Sequence, residues 1–316
     1  MRTMVTRQAV SFLLPVLGVF LIGAIPYLLF SNVPGISAIS ILLQTGKIKN
    51  ALFLDQDIGF HFGQYFDNIL RLFQTLITGG ELMYYEYRQF KPMFPAMFEP
   101  YYYSAKLLAG ALIFSITAAL LCAVLIKLLP AFLQKTIRTL LTVLESLPDV
   151  FVIVIVQFGV ILLYRETQSL IIQIYYNPHS PPYVFPIICL SILPILFLIK
   201  TLLFLLDGEE ETQYVEFALG KGLGKWRIIS SHMLRNSLIS LFFQSKTIFW
   251  ILLSNLFIVE YILYMPGITA FMRQYGLASP DVVTIGLLML FIPFYVIFSA
   301  ISFVLYAKLG IKEADA

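Results

Sequence analysis

Six apolar runs, each long enough to cross a bilayer, decide what this chain can fold into. Between Gln8 and Gly46 there is no Asp, Glu, Lys or Arg, and a helix needs about 20 apolar residues to span the hydrocarbon core. The first span is expected at roughly 9–31, and the others at roughly 105–127, 139–163, 183–206, 237–263 and 282–306. The runs are continuous, which selects helices over the alternating segments of about 10 residues that build a barrel. Composition points the same way. Apolar residues make up 59% of the 316 and charged residues 12%, against about 45–50% and about 25% in a globular domain. A soluble enzyme, a disordered chain, collagen, a disulfide scaffold and a nucleic-acid binder are excluded. The formal net charge of +3 is too small and too scattered for a polyanion partner. The fold class is an all-α integral membrane protein.

Basic residues set the orientation, because cytoplasmic loops carry an excess of Lys and Arg. With the N-terminus in the cytoplasm, that side holds Arg2, Arg7, Lys127, Lys135, Arg138, Lys221, Lys225, Arg227, Arg235, Lys308 and Lys312, and the short outer loops hold only Arg165 and Arg273. Six spans return the C-terminus to the cytoplasm. Arg2 and Arg7 precede the first span as in a secretory signal, but Gly23 to Tyr27 runs on into further apolar residues without a small-x-small cleavage site, so the span is read as a retained anchor. Four regions follow: a cytoplasmic N-terminus and first span at 1–31, an extracytoplasmic segment at 32–104, a five-helix core at 105–306 and a cytoplasmic tail at 307–316.

Two stretches are not spans. Outside, Ile58, Phe62, Phe66, Ile69, Phe73 and Leu76 recur every three or four residues, the spacing of an amphipathic helix, and Gly79-Gly80 ends it. Tyrosines at 84, 85, 87 and 101–103 suit the headgroup level, so this helix is expected to lie at the outer interface. Inside, residues 207–236 form the longest polar segment. Asp207 and Glu209 to Glu211 are expected to open a helix there, with Gly220, Gly222 and Gly224 ending it. No GxxxxGK[ST], strand-borne GxGxxG, HExxH or GxSxG occurs, His61, His179 and His232 are far apart, and Cys122 and Cys189 read as small core residues. Any work this chain does draws its energy from a gradient or a partner.

The cytoplasmic segment carries a pattern: Tyr214-Val215, Ala218, Lys221-Gly222-Leu223 and His232 to Asn236. It resembles the coupling loop of ABC-importer permeases, specifically the peptide and nickel branch. Leu256 to Ile268 (LFIVEYILYMPGI) resembles that branch's Val-Glu and Pro-Gly after the fifth span, and Ser146-Leu147-Pro148 its Ser-x-Pro at the third. Leu54-Asp55-Gln56, Gln64-Tyr65 and Gly80-Glu81-Leu82 resemble its outer segment, and Ser279 to Val283 the approach to its last span. Five fragments in order, from about residue 54 onward, carry the resemblance. The chain departs at Glu216 and Leu219, where the branch has basic residues, and at Gly220, where it has Ala. These departures imply partners matched to this chain.

The resemblance implies the type I importer permease fold and transport of oligopeptides or dipeptides by alternating access. It implies that this chain binds no cofactor and is not itself an enzyme, ATP and Mg being held by partner ATPases. A second homologous permease chain, two ATPases and an extracytoplasmic substrate-binding protein complete the assembly in a prokaryotic plasma or inner membrane. The ATPase-coupling residues would be Tyr214, Val215, Glu216, Ala218, Lys221, Gly222 and Leu223. A short helix closed by Gly220 and Gly222 can project as a knob, with Ala218 allowing close approach and Leu223, Trp226 and Ile229 fastening it to the spans. Nickel or another small substrate, or a gradient-driven secondary transporter, are the alternatives.

Polar residues within the spans are candidates for the path: Lys246, Glu145, Gln157, Gln244, Asn255 and Glu260. The competing reading makes Lys246 and Glu145 a structural pair. Lys106 and Lys200 are expected to snorkel from span ends, and Pro15, Pro26, Pro194 and Pro293 to kink their helices.

Overall fold

The computed structural model describes residues 2–31, 33, 42, 46, 58–86, 89–168, 173–174, 176–177 and 180–309. Leu54-Asp55-Gln56, His179 and Lys312 lie outside the described residues. The chain is mostly helical and divides into two compact units, Met1–Ala105 with Pro266–Lys308 and Lys106–Met265 with Leu309–Ala316.

Among the described residues five helices are long and apolar enough to cross a membrane. They are α4 (Phe98–Leu128), α6 (Asp149–Thr167), α7 (Val184–Glu210), α9 (Lys225–Ile262) and α11 (Asp281–Leu309). The first expected span is helical as α1 (Arg2–Gly23) and a short α2 (Ile25–Leu29), with Pro26 in the first turn of α2. Its described apolar stretch, Val10–Gly23, is shorter than the other five. Pro15, Pro194 and Pro293 lie inside α1, α7 and α11.

The expected span at 139–163 is corrected. It is two helices, α5 (Ala131–Glu145) and α6, separated at Ser146-Leu147-Pro148. Pro148 is the N-cap of α6, and a residue before proline is pushed away from the helical region. Asp149 in the first turn of α6 and Arg165 in its last complement the helix dipole.

In the first unit, α3 (Phe62–Thr78) is the expected amphipathic helix. It ends as expected: Gly79 is left-handed (φ 69°) and the Gly80 N–H reaches back to Thr75 O at 3.0 Å. Phe62, Phe66, Leu70, Phe73 and Ile77 form an exposed stripe along it. Gln64, Asn68, Arg71 and Thr75 line a cavity of about 520 Å³ on another face. Arg71 pairs with Asp281 at 2.9 Å, and the Tyr65 hydroxyl donates to Leu21 O at 3.0 Å.

A two-stranded antiparallel hairpin, β1 (Met83–Glu86) with β2 (Gln89–Pro92), follows. The tyrosines read as interfacial residues belong in part to this hairpin: Tyr84 is buried against Phe271 and Tyr275 of α10 (Ile268–Tyr275). Glu86 accepts from Lys91 at 2.7 Å and from the Tyr275 hydroxyl. Those bonds, the lysine's first, hold the Glu86 carboxyl below its usual range, while burial pushes the Tyr84 hydroxyl up. Because the folded Glu86 binds its proton more weakly than the unfolded chain does, its stabilisation is complete above the ordinary carboxylate range and is lost as pH falls through the lowered value. The protection of the hairpin amides relative to their intrinsic exchange rates is therefore expected to hold from pH 7 to about 5 and to fall below about 4, and Glu86→Gln to remove that step. Exchange that follows only the intrinsic pH dependence would contradict this.

In the second unit α9 packs chiefly on α7, and α5 and α6 also pack on α7. Leu198, Leu202 and Leu206 of α7 and Ile248, Leu252 and Leu256 of α9 are fully buried, each set repeating every four residues along one helix face.

Candidate functional site: the cytoplasmic coupling segment

The acidic run is placed differently from the expectation. Asp207, Glu209 and Glu210 end α7 rather than opening a helix. Carboxylates at a helix C-terminus oppose its dipole, and cations offset them here. Arg138 of α5 grips Asp207 with two bonds of 2.7 and 2.9 Å. Lys127, in the last turn of α4 and 3% exposed, reaches Asp207 at 2.7 Å and also pairs with Glu210. Gln134 of α5 donates to Lys127 O and Leu129 O at 3.2 and 2.8 Å, holding the carbonyl end of α4. Glu209 turns the other way and accepts from the Tyr214 hydroxyl and from Asn236 at 3.2 Å. Burial, and then the bond to Glu209, push the Tyr214 hydroxyl up. Sequence reading missed this cluster. Its signal was Gln134 and Arg138 at i, i+4 on α5, just after a lysine that ends an apolar run.

Three residues past α7 begins a short helix, α8 (Gln213–Gly220). Thr212 precedes it with an extended backbone, its hydroxyl donating to Glu209 O at 2.6 Å. Val215 and Ala218 face inward, 2% and 7% exposed, while Phe217 and Leu219 face out at 65% and 57%. Glu216 is exposed, and the Lys221 ammonium sits 4.3 Å from the centre of the Phe217 ring. The helix closes in a Schellman turn. Gly222 has φ 74°, its N–H donates to Leu219 O at 2.9 Å, and the Leu223 N–H donates to Ala218 O at 3.2 Å. The seven predicted coupling residues thus fall on one short helix and its C-terminal turn.

The apolar fastening differs in one residue. Ile229 is buried and Leu223 half-buried, but Trp226 is exposed and Ile228 takes the buried place beside Ile229. The reason is the break at Gly224, whose extended backbone starts the helix only at Lys225, so Leu223 does not share a helix with Trp226 and Ile229 and the 3.6-residue spacing does not run through all three; a π-helical turn, Ile228–Met233, follows near the start of α9.

The predicted path residues lie on three helices, α5, α6 and α9. Glu145 closes α5, outside α6, and its carboxylate pairs with Lys200 of α7. Glu145 is thus held by Lys200, and Lys200 is an ion-pair partner as well as a residue of a span. Lys106 lies 5.7 Å from the Tyr183 ring centre. Lys246 and Gln157 are half-buried in α9 and α6, Gln244 is exposed, and Asn255 and Glu260 are buried in α9, Glu260 completely.

Residues 112–310, well over half of the chain, match the family model for the binding-protein-dependent transport system inner membrane component. No curated protein matches the chain. The matched stretch contains the acidic junction, the Schellman-closed helix and four of the five long apolar helices whole or nearly so. Components of this family are multi-pass membrane permeases that work with ATPase and substrate-binding partners and are not themselves catalytic. With its apolar helices and this match, the chain belongs to the binding-protein-dependent transport system inner membrane component family, the permease subunits of ABC transporters.

Proposed function

We propose that the chain is the permease subunit of an ABC importer for oligopeptides or dipeptides, working by alternating access in a prokaryotic plasma or inner membrane. The observation that carries this reading is the form of α8. A knob fixed from within by Val215 and Ala218 offers Phe217 and Leu219 outward, a pair of apolar side chains on one short helix that a partner's groove can cover. The partner is an ATPase, on which ATP and Mg are bound and hydrolysed. A second, homologous permease chain, two ATPases and an extracytoplasmic binding protein complete the complex. The six spans run with both termini in the cytoplasm, the segment at 32–104 outside and the tail at 307–316 inside. The peptide branch is supported by the residues of the 214–236 pattern and the fragments around 80, 146, 256 and 279. Lys246, Gln157, Gln244, Asn255 and Glu260 are the proposed polar lining of the path. Glu145, held by Lys200, is assigned to its cytoplasmic edge.

Reconstitution of the complete complex in proteoliposomes tests the substrate class. ATP-dependent accumulation of labelled trialanine is expected, and Lys246→Met is expected to reduce it at least tenfold while hydrolysis continues. Accumulation of nickel–histidine without trialanine would move the chain to the nickel alternative. For topology, a membrane-impermeant maleimide added to whole cells is expected to label Gln64→Cys and to leave Glu216→Cys unlabelled. The reverse pattern would overturn both the orientation and the ATPase-facing assignment of α8.

A further inference from the structure

We propose that Lys127 and Arg138 are positioning residues that make α4 and α5 move with the coupling helix. The inference rests on the reading of α8 as the ATPase contact. Three carboxylates within four residues divide their partners. Asp207 and Glu210, three apart on one helix face, bind Lys127 of α4 and Arg138 of α5, and Glu209 binds Tyr214 of α8 and Asn236 of α9. The last turn of α7 is thus tied to four other elements, and only two residues separate it from α8. Without Lys127 and Arg138, α8 would remain attached to α7 and α9 and lose its polar tie to α4 and α5.

The energetic form of the cluster suits transmission. Lys127 is buried, so the ammonium end of its two bonds is held in place by packing, and the Arg138 fork is directional in a way a single contact is not. Asp207 and Glu210 are about half exposed. Losing Lys127 therefore leaves carboxylates that water can solvate, and Lys127→Met, similar in length, should assemble.

The test is a spin-label distance in the complete complex with its ATPases. Labels go on Gln213→Cys of α8 and Thr136→Cys of α5, both exposed, with Cys122 and Cys189 replaced by alanine. Nucleotide-free and ATP–vanadate-trapped states are compared. Without further change, the distance is expected to stay the same on trapping, because α8 and α5 move together. In Lys127→Met with Arg138→Gln, and in the milder Asp207→Asn with Glu210→Gln, which remove the ties of both α4 and α5, the ATPases are expected to co-purify as before. The distance should then change on trapping by about 2 Å or more, the scale of interface helix shifts. A static brace would not give a nucleotide-dependent change. Four outcomes overturn the proposal: a distance already changing in the unaltered cluster, no trapping-dependent change in either variant, a change present equally without nucleotide, or loss of the ATPases from both variants. The underlying assignment of α8 is judged separately by Gly222→Val: wild-type retention of the ATPases there would sink that reading, whatever the distances show.

Discussion

Gly222→Val is expected to insert, to pair with its partner permease and to reach the membrane in normal amounts, yet to lose most ATPase binding and substrate uptake. No atom lies within 4 Å of where a Cβ would stand at Gly222, so space is not the obstacle. The obstacle is φ 74°, where a Cβ meets the following carbonyl oxygen, at about 1–2 kcal/mol for ordinary residues and more for a β-branched one. That is a large penalty for a helix of eight residues, too short to hold itself in water. Valine would open the turn in which the N–H groups of Gly222 and Leu223 reach back to Leu219 and Ala218, and Phe217 and Leu219 would leave their outward setting. Asparagine, which visits the left-handed region more readily, should restore part of the activity. ATPase pull-down, hydrolysis and uptake measured on one preparation decide the matter. Wild-type values in all three would remove α8 from the path of force.

Gly276→Ala is expected to fail in the opposite way, with little complex recovered and normal hydrolysis in whatever assembles. Here the backbone is ordinary (φ −65°, ψ −29°) and the space is missing. An added Cβ would stand 2.3 Å from Met272 O and 2.5 Å from a Val283 methyl. The carbonyl is main chain, so the turn from α10 into α11 must shift. The same turn offers Ser279, whose hydroxyl oxygen accepts from the Tyr85 N–H at 2.9 Å, and Asp281, which holds Arg71. Forcing a group into a packed site costs about 1–3 kcal/mol, and here the shift also disturbs the hairpin and α3. Yield and thermal unfolding of the purified complex measure the effect, and recovery at wild-type levels would show that the turn relaxes freely.

What could be read in the residues follows from which forces act locally. The boundaries of α4, α7 and α11 lie within a few residues of the expected spans, apart from about two extra turns at the start of α4, because a continuous apolar run needs no knowledge of its neighbours. The end of α3 at Gly79 and the turn at Gly222 were legible for the same reason, since each is a local backbone demand. Apolarity misled at 139–163, where Leu140, Leu141 and Val143 read as membrane and only Pro148 marked the break. The acidic run misled because a dipole argument treats a helix alone. Lys127 and Arg138 come from other helices, and their charges make a C-terminal place tolerable for Asp207 and Glu210. The partner of Glu145 lies 55 positions away in sequence, a choice that spacing within one element cannot make. The hairpin at 83–92 is too short to show a clear period.

The π-helical turn at Ile228–Met233 gives the permease a place to absorb changes in chain length. Removing one residue from an ordinary stretch of α-helix turns everything upstream by about 100° about the axis. In α9 that would swing α8 and its outward phenylalanine away from the direction in which the proposed ATPase contact faces. A π turn already holds a surplus residue within a helix whose two ends keep their phase. A deletion between Ile228 and Met233 can therefore tighten the turn to α geometry and leave the knob aimed as before, whereas the same deletion a few turns later would misdirect it. Length variation among related chains is thus admissible at this turn, between the span and the element proposed to meet the motor.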